Sequence, residues 1–282
     1  MIVFPNAKIN LGLNNVAKRT DGYHDLDMVM IPVGWRDILE IVPSKSGITT
    51  LTTTGRTVNC PPEKNLVYKA WLRLNERLDG DLPPVDIHLH KIIPDGAGLG
   101  GGSADASFTL TALNSLFSLG LEEKTLCEVA ATLGADCPFF IYNRPMHCSA
   151  TGTVMRPIEV YFDGVTHIVI AKPTGVSVST AEAYGGVTPE KPAISTDEAV
   201  TNHLPTEWRE LLVNGFEQHI FAAKPAISKL KNKMYDCGAV YSSMSGSGSA
   251  VYGLFSDVKM AEQAAAVITG SDVYCGPIAF SN

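Results

Sequence analysis

Pro94-Asp95-Gly96-Ala97-Gly98-Leu99-Gly100-Gly101-Gly102-Ser103-Ala104-Asp105 is the passage on which the reading of this 282-residue chain turns. Five of the seven residues from Gly96 to Gly102 are glycine. Each glycine lets backbone amides face inward where a side chain would block them. So many in so short a span cost more chain entropy than an ordinary tight turn warrants. Upstream, Val85, Ile87 and Leu89 alternate with Asp86, His88 and His90, the period of a strand over 85–93. Downstream, Phe108, Ala112 and Leu116 mark a helix over 106–119, with Ser103 available as its cap. Inward N–H groups together with the positive end of a helix dipole make a seat for polyphosphate.

The loop matches none of the commonest phosphate motifs. There is no G-x-x-x-x-G-K-[ST], so the usual P-loop lysine is missing. Gly96, Gly98 and Gly101 satisfy G-x-G-x-x-G. A dinucleotide fold, however, wants that motif after its first strand, with an acid closing a second strand about 20 residues on. Here the acids at that distance, Glu122 and Glu123, open a helix, and several strands precede the loop. H-R-D, D-F-G, a serine nucleophile elbow and H-E-x-x-H are also missing. His88 and His90 share a strand face, and a solvated face explains them better than a metal site lacking further ligands.

Outward from the loop the pattern is α+β. Ala7, Ile9, Leu11 and Leu13 point one way and Lys8, Asn10 and Gly12 the other, a half-buried strand over 7–13. Strands are expected at 38–42 and 48–53. A helix is expected at 65–78, on Leu66, Val67, Ala70, Trp71, Leu74 and Leu78, and another at 122–133. Asp136-Cys137-Pro138 predicts a further helix start, an acidic cap ahead of a first-turn proline. Strands at 154–161 and 166–171 and helices at 206–222 and 226–235 follow. Strands at 239–244 and 250–255 flank Ser245-Gly246-Ser247-Gly248-Ser249, and a helix at 258–268 and a strand at 272–277 complete the chain. A change of character places a domain boundary near 155, giving domains 1–155 and 156–282.

Bulk properties narrow the field. With 45% hydrophobic residues the chain can bury a sizeable core. A net charge of −7 argues against a nucleic-acid or anionic-membrane surface spread over the whole protein. No apolar run approaches the ~20 residues of a membrane-spanning helix. The opening MIVFPNAKIN lacks the basic leader, apolar stretch and cleavage site of a secretory signal. Cys60, Cys127, Cys137, Cys148, Cys237 and Cys275 are scattered without a C-x-x-C pair, as expected of reduced thiols in a cytoplasmic protein.

Three passages taken together resemble the GHMP kinase superfamily: Pro5-Asn6-Ala7-Lys8-Ile9-Asn10, the glycine loop, and Ser245 to Ser249. Their order spans almost the whole chain, which is more specific than any one loop. Asp21-Gly22-Tyr23-His24 and Leu133-Gly134-Ala135-Asp136-Cys137-Pro138 resemble one branch of that superfamily. That branch phosphorylates the 2-hydroxyl of a cytidine-diphosphate erythritol in the non-mevalonate isoprenoid pathway. The resemblance implies an N-terminal domain like ribosomal protein S5 domain 2 and a ferredoxin-like C-terminal domain. It also implies ATP, Mg²⁺ and transfer of the γ-phosphoryl to a small-molecule alcohol.

By the same resemblance Asp136 is the base and Lys8 its cationic neighbour. Pro94, Asp95, Gly96, Ala97, Gly98, Leu99, Gly100, Gly101, Gly102, Ser103 and Ala104 hold ATP, with Asn65, Leu66 and Lys91 at its adenosine. Tyr23 and Tyr184 sandwich the cytosine, His24 reads its polar edge, and Asn10 meets the substrate hydroxyls. Thr180, Ser245, Gly246 and Ser247 complete the substrate set. Phosphoryl transfer needs positioning, charge neutralisation and an acceptor for the hydroxyl proton, and a carboxylate beside a lysine suits that need.

Taken one at a time, quieter readings stay open: a helix cap for Asp136, a solvated strand face for Lys8, helix packing for Tyr184, a hairpin for 245–249. Asp95 puts a negative charge beside the loop that opposes a nucleotide unless it turns away or faces a metal, and no acid is assigned to Mg²⁺. Three rival functions remain: a GHMP kinase for a different alcohol, a dinucleotide-dependent oxidoreductase, and a non-catalytic nucleotide-binding module.

Overall fold

A computed structural model describes residues 1–278 of the chain. Two compact units interleave in sequence. The first comprises Met1–Ala7, Trp35–Asp95 and Gly100–Arg144; the second comprises Lys8–Gly34, Gly96–Leu99 and the described residues from Pro145 onward.

The first unit carries a four-stranded sheet in the order Ile2–Val3, Ile38–Pro43, Val85–Lys91, Thr50–Gly55. The last two strands are parallel and joined through the helix Leu66–Arg77, as parallel pairing requires. Val85, Ile87 and Leu89 are buried while the residues between them are half-exposed, so the alternation read from the sequence sets one face inward. Against that face pack Val67, Ala70 and Leu74, then Ala106, Leu110 and Leu113 of the helix Gly101–Leu116, and Leu126 and Val129 of the helix Glu123–Ala131.

Two helix starts differ from expectation. The helix Gly101–Leu116 begins five residues early, because Gly100 takes a left-handed conformation (φ 71°) and occupies the N-cap. Ser103 is therefore inside the first turn and is not the cap. Asp136 stands at the N-cap of the helix Cys137–Tyr142, but its side chain makes no capping hydrogen bond. The acidic-cap expectation fails, and first-turn Pro138 is the start signal that remains.

The second unit holds two sheets. One runs Asn6–Lys18, His24–Arg36, Met146–Ala150, Val154–Pro157. Its first strand is thirteen residues long and buried through Asn15, where the sequence predicted a half-buried seven-residue strand. Nothing in the sequence reading marked the strand His24–Arg36. Leu26 to Val33 is buried on both sides, so the run lacks the alternation of a half-exposed strand, and Pro32 argues against one.

The other sheet runs Tyr241–Met244, Val251–Phe255, His167–Pro173, Ser271–Pro277, antiparallel throughout. Helices Pro225–Asp236 and Val258–Val267 sit in its two crossovers, which is the ferredoxin-like β-α-β-β-α-β plan. The helix expected at 206–222 is two, Trp208–Leu211 and Glu217–Ala223, because Asn214 breaks out to bridge Leu13. The strand expected at 154–161 ends at Pro157. None of the six cysteines forms a disulfide among the described residues, and no helix among them is long and apolar enough to cross a membrane.

Candidate active site

In the second unit, three stretches far apart in sequence meet around the Lys8 ammonium. Lys8 and Asn10 are 3% and 1% exposed, which rules out a solvated strand face for either. Lys8 Nζ donates to Asn10 Oδ1 at 2.6 Å, and the Lys8 backbone N–H donates to the Leu99 carbonyl at 2.9 Å. The Ser245 hydroxyl donates to the Gly98 carbonyl at 2.8 Å, and the Ala250 N–H to the Ala97 carbonyl at 3.1 Å. A Cβ on Gly98 (φ 71°) would overlap the Ser245 carbonyl. One on Gly246 would lie 3.2 Å from the Gly98 carbonyl oxygen and 3.3 Å from Lys8 Nζ. Asn214 holds this turn, its Nδ2 donating to the Met244 and Gly246 carbonyls at 2.9 and 2.8 Å. The sequence offered only the Asn214-Gly215 turn pair as a hint of it. Ser247 is half-buried at the turn's tip.

Further along the same unit, the Tyr23 backbone N–H donates to Asp21 Oδ1 at 3.1 Å, and the Tyr23 ring is 66% exposed. His24 starts a strand instead of finishing the turn. Its buried Nδ1 has no hydrogen-bond partner among the described residues. The His24 ring lies 5.0 Å from that of Tyr184, which lies 4.9 Å from Phe216, edge to face. Tyr184 is carried by the helix Thr180–Gly185, whose N-cap Ser179 accepts from the Glu182 N–H at 3.1 Å; Thr180 is exposed. Phe216 escaped the sequence reading because it fell within an expected helix and had no pattern of its own.

Asp27, on the His24 strand, accepts from His147 Nε2 at 2.8 Å, the Thr196 hydroxyl at 2.7 Å, the Thr196 N–H at 2.9 Å and Asn14 Nδ2 at 3.0 Å. Burial pushes its carboxyl up, but these donors outweigh burial and hold it below the ordinary range. Asp27, His147 and Asp197 come close enough together to hold a metal ion. Both Asp27 oxygens are already taken, and Arg156 pairs with Asp197. The group is a junction tying the helix Thr196–Asn202 to the strand.

In the first unit, the glycine N-cap leaves the first-turn N–H groups of the helix Gly101–Leu116 without a side-chain acceptor, so its positive end is open to an anion. Asn65 caps the helix Leu66–Arg77 by accepting from the Val67 N–H at 2.9 Å. A cleft of about 160 Å³ is lined by Asn65, Leu66, Lys91, Asp95, Gly102 and Asp105 among others, bringing together the three residues assigned to adenosine. Pro94 is buried and Asp95 exposed. Lys91 is buried, its Nζ donating to Asp37 Oδ2 at 2.6 Å and Asp105 Oδ2 at 2.8 Å. Burial would lower its pKa, but the two carboxylates raise it. Burial pushes the Asp105 carboxyl up to about 8, the Asp37 charge adding to the effect against the pull of Lys91. Asp37 carried no sequence signal, and Asp105, the last residue of the glycine-loop passage, was given no role. Asp136 is half-buried and belongs to this unit, whereas Lys8 belongs to the second.

Residues 65–144 match the model of the GHMP kinases N terminal domain, and residues 198–271 that of the GHMP kinases C terminal region. A protein of Parabacteroides distasonis named 4-diphosphocytidyl-2-C-methyl-D-erythritol kinase is 48% identical over 256 residues, covering 90% of this chain and 92% of that one. A protein of Porphyromonas gingivalis with the same name is 45% identical, covering 94% and 96%. A crystal structure of 4-(cytidine 5'-diphospho)-2C-methyl-D-erythritol kinase superposes with a TM-score of 0.80 at 30% identity, covering 98% of both chains. A homoserine kinase from Cytophaga hutchinsonii, at 23% identity and a TM-score of 0.74 over 98% and 93% of the two chains, shares the fold.

Proposed function

The chain belongs to the GHMP kinases and, within them, to the 4-diphosphocytidyl-2-C-methyl-D-erythritol kinase family, and on that premise we propose that it uses ATP to phosphorylate the 2-hydroxyl of the cytidine-diphosphate erythritol. One observation carries the reading: the Lys8 ammonium, the Gly98 backbone and the Ser245–Gly246 turn converge in one place. A triphosphate tail bound on Gly96 to Ala104 would meet a cation there, and the open helix N-terminus would take a further phosphate. Asn65, Leu66 and Lys91 line the cleft into which the adenosine would fit.

In the reaction, Asp136 accepts the proton of the substrate hydroxyl as its oxygen attacks the γ-phosphorus and ADP leaves. Lys8 stabilises the negative charge growing on that oxygen. Asn10, whose Oδ1 holds Lys8 and whose carbonyl accepts from the Tyr252 hydroxyl at 2.7 Å, orients the polyol. Mg²⁺, when bound, would neutralise phosphate charge, and the first-turn Ser103 hydroxyl is the hard oxygen that would help to hold it. At the other end, Tyr23, which is exposed, and Tyr184 stack on cytosine while His24, whose buried ring nitrogen has no partner among the described residues, reads its edge. Thr180, Ser245, Gly246 and Ser247 complete the substrate contacts.

The functional boundary lies near 155, supported by one family match ending at 144 and the other beginning at 198. Six cysteines outside any disulfide support a cytoplasmic setting. A phosphate-transfer assay with ATP and a panel of alcohols tests the whole reading. Turnover confined to the cytidine-diphosphate alcohol is expected. Equal turnover of alcohols lacking the cytidine would refute the substrate, and none with any alcohol would refute the activity.

A further inference from the structure

Asn10 is buried beside Lys8 in the second unit, and both ends of its amide are held there. Its Oδ1 accepts from Lys8 Nζ at 2.6 Å, and its Nδ2 donates to the thioether sulfur of Met28 at 3.2 Å. The Tyr252 hydroxyl fixes the backbone of the same residue by donating to its carbonyl at 2.7 Å. The two side-chain partners agree on one orientation of the amide. An ammonium can only donate, so it needs the oxygen; a thioether can only accept, so it needs the NH₂. Turning the amide over would set N–H against N–H and oxygen against the sulfur lone pairs. The sulfur is as firmly placed as the amide. Met28 is 5% exposed and pairs across the sheet with buried Cys148. Gly152 (φ 86°) stands over its methyl end, where a Cβ would lie 3.0 Å from Met28 Cε. The methyl is thus seated against bare backbone while the sulfur meets Asn10. An aliphatic side chain of similar size would fill the same space and offer the amide no acceptor.

We propose that Met28 is a positioning residue of the phosphoryl transfer: its sulfur holds the Asn10 amide in the one orientation that presents Oδ1 to Lys8, and so keeps the Lys8 ammonium in place for the reaction. The inference rests on the kinase reading given above and adds to it the residue that sets the lysine. Met28 acts through Asn10 and not by touching substrate. Without the sulfur, a buried N–H loses its acceptor. The amide then gains by rotating towards another acceptor, and Oδ1 leaves Lys8 as it turns.

Met28→Leu in the full chain tests this. Leucine replaces methionine in a core at little cost, so the variant should fold with nearly the parental Tm. With ATP and the cytidine-diphosphate alcohol its kcat should fall about three- to tenfold, as for one lost hydrogen bond, while KM for ATP stays within about twofold. In an Asn10→Ala background the same substitution should leave kcat where it was, because the amide through which it acts is gone. NMR reads the contact without turnover. The Asn10 side-chain NH₂ signals, identified by their loss in Asn10→Ala, should exchange with solvent about fivefold faster or more in Met28→Leu than in the parent. A parental kcat in Met28→Leu, an undiminished fall in the Asn10→Ala background, or unchanged exchange of the Asn10 NH₂ would overturn the inference and leave the kinase reading standing. No turnover by the parent with any alcohol would overturn both.

Discussion

The Ser245 hydroxyl donates to the Gly98 carbonyl at 2.8 Å across 147 residues of sequence. The bond fixes the middle of the glycine loop against a turn from the far end of the chain, and the fit leaves no room for a side chain. Gly98→Ala would force a Cβ into the Ser245 carbonyl at a positive φ. It should cost about 2 kcal/mol or more and weaken ATP binding. Thermal unfolding and ATP titration together check this, and an unchanged Tm with unchanged Kd would contradict it.

Lys8→Met and Asp136→Asn should each lower kcat by a factor on the order of 10² to 10⁴ while ATP still binds, because each removes help that matters most in the transition state. Steady-state kinetics beside ATP titration separate the two effects. A loss confined to KM would assign either residue to binding instead.

Tyr23→Ala should raise KM for the cytidine-diphosphate substrate by roughly five- to a hundredfold, the equivalent of about 1–3 kcal/mol of lost stacking. Its ring is 66% exposed, so folding stability should hardly move. Tyr184→Ala should raise the same KM and also lower Tm, since that ring packs between His24 and Phe216.

Asp27 provides a test in pH. Its carboxyl is held below the ordinary value, so the unfolded chain takes up a proton first as pH falls, and the stabilisation is present above about pH 4 and lost below it. Asp27→Asn should cost about 1–3 kcal/mol at pH 7. Urea unfolding should show that gap closing as pH drops through about 4.

Lys91→Met leaves two buried carboxyl groups without their ammonium and should destabilise the chain by about 3–5 kcal/mol at pH 7. The deficit should shrink at low pH, where no buried carboxylate is left without a counter-charge. Chemical denaturation at pH 5 and pH 8 would show it, and equal deficits would mean that the ammonium was not holding charge.

Much of this was legible in the residues. The alternation of Val85, Ile87 and Leu89 marked a strand with one buried face, and that is how it folds. Glycines between a strand and a helix marked a special loop, since Gly98 has no room for a Cβ and Gly100 takes a left-handed conformation. The strands and helices of the ferredoxin-like unit were readable because they alternate with clear turns, whereas the plan itself followed only from the family resemblance. The strand His24–Arg36 was not, because burial on both faces erases the period on which a strand is recognised. Phe216, Asn214 and Asp37 were hidden for a related reason: each acts through a partner far away in sequence, and no local pattern records the pairing.

By itself the sequence determined the chemistry on offer: a glycine-rich anion seat, a lysine and an asparagine on one strand, a tyrosine–histidine turn. Only the tertiary structure decided which of these are buried and what they face. It buried Lys8, for which a solvated strand face had stayed open, together with Asn10, and it bound Lys91 to two carboxyl groups. The physical reason is that spacing along the chain specifies which side of an element a residue occupies, whereas the charge a buried group carries depends on every neighbour that has displaced its water.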